Sequence, residues 1–510
     1  MLILIFVTTE THFLSTLKRF FKDTIIYGIA AVLPRVINFL LLGVHVNALD
    51  PTVFSTNTYF YIWAALFAVL LTFGLETAFF RFYNKEEKKD ALVSTAFITM
   101  LFTVAVFIVG LTVFFDSFLH IFDFENNPFR LKLFIGILAL DTIAMVPFAY
   151  LRASNRPIKY AVIKLINVAV IVIITLIGLK YIPAFLEQGK ALPKIVTNNY
   201  AKTPKVNYIF IANILGSAIS FLLLIPILAK FKLSFDFKLL KKIVAYSWPI
   251  AVAGIAYAIN ENLDKYLIKQ ELGDFEMGIY AACYKLAIFM NLYIMAFRLG
   301  AEPFFFNHAD KKNAKETYAK IMNYFVIVGA LVLVGIVVYI DILKELFIPN
   351  QEYWSAIIIV PIVLLANLFL GIYHNLAIWY KLTDKTRYGM YFSIFGAVIT
   401  VVINLYLIQR IGIIASAWAT LAAYSSMAII SYFYGKKHYP INYNLQKMGI
   451  YLTVSVVISY LSFVQFRGNY WISTLLVLIF AVIIYWNERK ELKGLLHKDS
   501  RSKTKIYKEK

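Results

Sequence analysis

The chain holds a single cysteine, Cys283, so neither an internal disulfide nor a thiolate metal cluster can form within it. It also lacks the short motifs of nucleotide and hydrolytic chemistry: no Walker loop, dinucleotide fingerprint, HExxH or GxSxG occurs. An ATP-driven pump and a hydrolase are therefore disfavoured, and energy for transport would come from an ion gradient or the membrane potential. Acidic residues are few, 29 against 50 Lys and Arg. Long polar segments are missing too. The longest stretch between apolar runs, Tyr181 to Asn207, is too small and plain for the catalytic loop of a membrane glycosyltransferase or polymerase.

What fills the chain is apolar. It is 61% hydrophobic and 17% aromatic, with mean hydropathy +0.72. Runs of about twenty apolar residues, enough to cross roughly 30 Å of hydrocarbon, recur along most of it. Spans are predicted near 25–47, 54–74, 91–115, 131–151, 158–180, 208–229, 243–268, 276–299, 319–340, 355–380, 387–409, 412–434, 448–465 and 470–487. The fold class is thus an all-α polytopic membrane protein of about 14 transmembrane helices. A β-barrel would alternate polar and apolar residues, and these runs do not.

Orientation follows from the basic residues, which resist translocation when they flank a span. A cytoplasmic N-terminus puts Lys88, Lys89, Arg152, Arg156, Lys241, Lys242, Lys311, Lys312, Lys385, Arg387, Lys436 and Lys437 on one side. Asp50, Asp116, Asp123, Glu125, Asp274, Asp341 and Glu352 fall on the other, and both termini are expected inside. A net charge of +21 is also found in nucleic-acid-binding proteins, but its concentration in alternate short loops is what topology requires. Residues 1–24 read as a cytoplasmic, interfacial N-terminal segment, and 488–510 as a disordered basic cytoplasmic tail held near anionic headgroups.

A segment near the start recurs near the middle. Gly74-Leu75-Glu76-Thr77-Ala78-Phe79-Phe80-Arg81 is echoed by Gly300-Ala301-Glu302-Pro303-Phe304-Phe305-Phe306-Asn307. Leu49-Asp50-Pro51 is matched by Leu272-Gly273-Asp274 at nearly the same offset, and Leu151 to Pro157 by Tyr380 to Thr386. The expected organisation is an N-lobe at 25–230 with spans one to six, a C-lobe at 231–434 with spans seven to twelve, and two further spans at 435–487. Two such halves usually flank a central path and expose it alternately.

Ionisable residues inside spans cost about 2.5 to 3.5 kcal/mol each on insertion scales, so each calls for a reason. Arg35, near mid-depth in the first span, either contacts an anionic headgroup or pairs with Asp141 of the fourth. The seventh span carries Asn260, Glu261, Asn262, Asp264 and Lys265, a cluster that implies a watery cavity. Glu261 and Lys265, one turn apart, can pair statically, or a carboxylate can carry a coupling cation. Lys285 of the eighth span is the expected neighbour of this cluster. Lys164 either snorkels or meets substrate. Glu76 and Glu302, with Arg81 and Arg298, read as a gate or as end-capping charges. Asn367 and His374 line a path or pack, and Trp63, Trp354 and Trp471 read as interfacial anchors.

Fourteen spans, two related halves of six, two extra C-terminal helices and no nucleotide site resemble the polysaccharide transporter family of oligosaccharide flippases. That family belongs to the multidrug, oligosaccharidyl-lipid and polysaccharide exporter superfamily. Local features agree: Lys22 to Gly28 before span one, Asn47-Ala48-Leu49-Asp50-Pro51 after it, Arg81-Phe82-Tyr83 after span two, Leu151 to Arg156 after span four, and Gly412 to Ala417 entering span twelve. Two departures stand out: Gly43-Val44-His45-Val46 lacks the family's usual proline, and Asn307 replaces a second-half counterpart of Arg81. The resemblance implies two six-helix lobes around a partly cationic cavity, without a cofactor. Its substrate would be a polyprenyl-diphosphate-linked oligosaccharide, with polysaccharide polymerase and glycosyltransferases as functional partners, at the cytoplasmic membrane. On that reading Arg35, Lys164 and Lys285 bind substrate, while Glu261, Asp264, Lys265 and Asp141 couple transport to a proton or sodium gradient. A peptidoglycan precursor flippase and a cation-coupled drug antiporter of the same superfamily are the alternatives.

Overall fold

Long runs of Leu, Ile, Val, Phe and Ala satisfy their backbone polar groups in lipid only by forming helices or closed barrels. The computed structural model describes residues 32–83, 86, 88–190, 192–383 and 385–508, with side chains for these except 299, 302, 303, 307 and 490–508. The expected segment 1–24 lies outside the described residues, as does the start of the first span. Thirteen described helices are long and apolar enough to cross a membrane, and the shorter apolar helix α1, Val32–Ala48, makes the fourteenth element. The others are α2 Pro51–Tyr83, α3 Lys89–Val113, α4 Phe129–Ala153, α5 Pro157–Glu187, α6 Asn207–Leu228, α7 Phe237–Leu272, α8 Asp274–Arg298, α9 Ala314–Val338, α10 Gln351–Leu382, α11 Arg387–Ile411, α12 Ile414–His438, α13 Leu445–Gln465 and α14 Tyr470–Arg489. The chain is a multi-pass helical membrane protein. Many large apolar side chains are exposed, among them Phe102 at 70%, Val113 at 68% and Leu405 at 60%, a surface suited to lipid.

Helix ends follow local chemistry. The Asp50 carboxylate accepts the Val53 N–H at 2.9 Å, and Pro51 takes a first-turn position that needs no donor, so α2 starts where the first sequence marker lies. The matching marker, Leu272-Gly273-Asp274, is likewise a turn between helices, with Gly273 at φ 97°. The second marker is not structurally repeated. In α2, Phe73 and Gly74 are both left-handed (φ 48° and 66°) and split it into Pro51–Thr72 and Leu75–Tyr83. Gly300 instead sits within the continuous helix Ile288–His308, and α8 breaks earlier, at the single 3₁₀ turn Lys285–Ala287.

The helices gather into two compact units. The first comprises Met1–Lys285, Phe347–Ile359 and Lys385–Met427, and the second Leu286–Leu346, Val360–Asp384 and Ala428–Lys510. In the first, Leu75, Phe79, Tyr83, Met100, Val146 and Ile243 form a core that ties α2, α3, α4 and α7 together. In the second, Val334, Tyr451, Ile458, Phe480 and Ile484 seat α13 and α14 on α9. Asp341, just after α9, receives Arg467 at 3.0 Å and Lys344 at 2.6 Å. Burial pushes its carboxyl up, but these two donors outweigh that and hold it below the usual range.

Two expectations change here. Between α5 and α6 the loop carries the helix Lys194–Lys202, and Tyr200 donates to the Gly178 carbonyl at 3.1 Å. At the chain's end, helix continues from Tyr470 to Lys508 where a disordered tail was expected.

Candidate functional site

The polar cluster of α7 is real, but its pairing differs from the expected one. Lys265 does not pair with the Glu261 carboxylate. Its ammonium bonds Asp264 at 3.0 Å and the Glu261 backbone carbonyl at 2.7 Å, and lies 3.9 Å from the Tyr284 ring centroid. Adjacent residues on a helix do not face each other, so this contact requires the long Lys265 stem to fold back along the helix. Asp264 is 1% exposed and also receives the Tyr280 hydroxyl at 2.8 Å. The Glu261 carboxylate instead accepts the Tyr424 hydroxyl of α12. Neutral tyrosines from α8 and α12 thus divide the two carboxylates between them.

A hydrogen-bonded chain extends from the same turn. Asn260 donates to the Ser393 carbonyl at 3.1 Å and accepts from Thr400 at 3.1 Å. Asn404 donates to the Thr400 carbonyl at 2.8 Å and accepts from Ser416 at 2.5 Å. This chain links α7, α11 and α12 through buried, satisfied groups, the arrangement in which a polar network specifies one packing. Among the described residues no group of three or more His, Cys, Asp and Glu could hold a metal ion.

Lys285 sits in the break of α8, its ammonium 5.1 Å from the Phe54 ring centroid and within electrostatic reach of His45. His45 is 7% exposed, and neither ring nitrogen has a hydrogen-bond partner. Arg35 of α1 is exposed. Asp141, its expected partner, is also exposed; Ser217 of α6 donates to it at 2.6 Å and Lys164 of α5 faces it. A charge that remains exposed midway along an apolar helix, as Asp141 does in Phe129–Ala153, requires water in a bilayer.

The gate residues divide as well. Glu76 pairs with Arg152 at 2.8 Å, and the Arg81 guanidinium lies 4.2 Å from the Tyr246 ring centroid on α7. The Glu302 side chain lies outside the described residues. Arg298 faces His374 electrostatically, while both side-chain amide atoms of Asn367 are buried without a partner. Trp63 is half-buried and packed among Tyr59, Phe122 and Tyr266.

One constellation was missed by the sequence reading. At the end of the first unit where α1 turns into α2, Lys269 bridges Asp274 at 2.5 Å and Asp123 at 2.8 Å. Ser55 of α2 donates to the same Asp274 at 2.5 Å. Close by, a Cβ added at Gly278 would lie 1.9 Å from the Pro51 carbonyl oxygen, so α2 and α8 cross there backbone to backbone.

This architecture, a multi-pass helical bundle with ionisable groups inside its spans, is that of the superfamily of flippases and transporters named above. The family model of polysaccharide biosynthesis proteins matches residues 20–305, more than half of the chain, and this protein belongs to that family. The MatE model matches residues 249–406. An uncharacterized membrane protein of Methanocaldococcus jannaschii is 24% identical over 191 residues, 38% of this chain and 45% of that one, so the match spans less than half the relative's length. Among solved structures, the lipid II flippase MurJ in an inward closed conformation is 15% identical, with TM-score 0.69 over 91% of this chain and 99% of that one. A multidrug resistance MATE family transporter in an inward-facing conformation is 11% identical, with TM-score 0.62 over 84% and 99%. At these identities the likeness is one of fold.

Proposed function

We propose that this chain flips a polyprenyl-diphosphate-linked oligosaccharide across the cytoplasmic membrane by alternating access of two six-helix lobes, for cell-surface polysaccharide synthesis. Both termini are cytoplasmic. The observation that carries the reading is the exposure of Asp141 midway along the apolar helix Phe129–Ala153 and of Arg35 in the apolar helix Val32–Ala48, within a family of polysaccharide biosynthesis proteins. A charge there needs a water-lined path, and a diphosphate is the part of such a substrate that needs Arg or Lys. Arg35 and Lys285 hold the diphosphate, sugars face polar walls, and the lipid tail stays in the bilayer. Glu261 couples the movement to a proton or sodium gradient. Glycosyltransferases supply the substrate, and a polymerase consumes it.

The test uses a strain whose surface polymer depends on this chain. Losing one charge-assisted contact, worth about 1.5 to 3 kcal/mol, should lower export roughly tenfold or more in Arg35→Gln or Lys285→Gln. Protein abundance should hold, and lipid-linked oligosaccharide should accumulate. Full export by the double Gln variant would refute the assignment.

A further inference from the structure

We propose that the groove between α3 and α6, closed at one end by the connector that leads into α7, is a binding site for an anionic phospholipid. One acyl chain lies in the groove, and the headgroup phosphate rests on Lys230 and Lys232. Such a site is independent of which solute the chain carries.

The connector begins as an alternating sequence. In Ala229-Lys230-Phe231-Lys232-Leu233 the first, third and fifth residues line the groove, and the two lysines between them are exposed. Successive Cα atoms stand about 3.8 Å apart, so each lysine is anchored one residue from the groove wall on either side. The connector is fastened at three points. Phe231 meets the Tyr150 ring of α4 edge-on at 4.9 Å, the Ser234 N–H donates to Ser94 Oγ at 2.7 Å, and the Asp236 N–H donates to Thr95 Oγ1 at 3.1 Å. Residues 229–242 carry five lysines against one acid, Asp236, whose carboxylate caps α7 by accepting the Leu239 N–H at 3.0 Å. The rim is therefore fixed in place and strongly positive.

The groove itself suits an apolar guest. It encloses about 330 Å³, walled by Phe97 of α3, Phe221 and Ile225 of α6, and Phe231 and Leu233 of the connector. Its one polar side chain, Ser94, already accepts the Ser234 N–H, so a sugar inside would strand its hydroxyls. Phe221 lies eight residues before Ala229, which carries the groove about 12 Å along α6 from the connector. Leu233, Phe235 and Phe237 are 70%, 50% and 69% exposed. Apolar side chains so exposed beside lysines belong at the boundary between headgroups and acyl chains. An ammonium there gives a phosphate charge-assisted bonds, and clustered lysines favour anionic over zwitterionic lipid. A phospholipid joins both requirements in one molecule. The first unit also supplies a contrast, a groove of about 390 Å³ between α7 and α11, lined by Val252, Ile255, Ile394, Val398 and Val402 among other apolar residues and by no charged one.

Photo-crosslinking locates the guest. Full-length protein is reconstituted in phosphatidylcholine nanodiscs with a trace of phosphatidylglycerol or phosphatidylcholine bearing the same diazirine acyl chain, and labelled peptides are read by mass spectrometry. The ratio of phosphatidylglycerol to phosphatidylcholine labelling should be several-fold above one in the peptides that hold Phe97 and Phe221 to Leu233, and near one at the α7 and α11 groove. Lys230→Gln with Lys232→Gln should lower the first ratio about fivefold or more, toward one. Both lysines are exposed, so the fold is not at stake. Lys436→Gln with Lys437→Gln removes equal charge from the end of α12 and should leave the ratio as in wild type. A wild-type ratio near one, a high ratio that survives the loss of Lys230 and Lys232, or an equal fall in the Lys436 and Lys437 variant would overturn the site. So would an unlabelled groove, the result if a second copy of this chain covers it. Stronger labelling by a photoreactive polyprenyl phosphate at the same mole fraction would also overturn it, and would assign the groove to a polyprenyl tail.

Discussion

Glu261 and Asp264 stand three residues apart on one helix, yet the company they keep gives them different work. Asp264 is the buried counter-ion of Lys265, and removing its charge should cost about 3 to 5 kcal/mol, as breaking a buried pair from one side does. Glu261 is held by a neutral phenol, so it can take up a cation without stranding an opposite charge. Asp264→Asn should therefore lower the melting temperature of the purified protein. Glu261→Gln should leave melting nearly unchanged and remove the gradient dependence of transport; unchanged gradient dependence with a lowered melting temperature would reverse these roles. The sequence revealed the charges of this cluster because acids and amides are rare in apolar spans. It hid Tyr280, Tyr284 and Tyr424, because a chain that is 17% aromatic offers too many tyrosines, nearly all of them packing material. Lys269 was hidden for another reason: it bridges Asp123 and Asp274, which neighbour it only after folding.

Among the elements, α2 and α8 show how similar sequence segments can take different structures. Gly74 is left-handed, and a Cβ there would meet the Ser247 carbonyl oxygen at 2.9 Å, so the inner segment Leu75–Tyr83 can turn and place Glu76 on Arg152. Its counterpart Gly300 lies in unbroken helix, and the break of α8 falls instead at Lys285, the expected phosphate contact. The existence and order of the spans were legible because twenty apolar residues in a row admit one solution in lipid. These breaks were not, since they arise where helices press on each other. The tightest such place is Gly278 against Pro51, beside the Lys269 bridge. Gly278→Ala must push α8 from α2, at a cost of about 1 to 3 kcal/mol. A thermal melt of the purified variant should show the loss, and a wild-type melting temperature would mean the crossing carries no load.

For the whole molecule, the claims that matter are its orientation and its cargo. On a Cys283→Ala background, cysteines replacing Lys88 and Lys436 should be protected from an impermeant maleimide in intact cells, and those replacing Asn126 and Gln351 should react. Labelling at position 88 from outside would invert the topology. The distribution of basic loops is the basis of this orientation, whereas the cargo lies beyond what charges and spans encode, because a diphosphate, a peptide-linked sugar lipid and an organic cation can all use a water-lined path. The most direct measurement is flipping itself. Purified protein is reconstituted into vesicles with a fluorescent polyprenyl-diphosphate oligosaccharide in both leaflets, and the fraction that an added membrane-impermeant quencher reaches is followed over time. With the wild-type protein the inner-leaflet pool should become accessible, and with the Arg35→Gln, Lys285→Gln double variant it should stay protected. A wild-type pool that stays protected, in vesicles where a peptidoglycan precursor lipid or an organic cation does cross, would contradict the account.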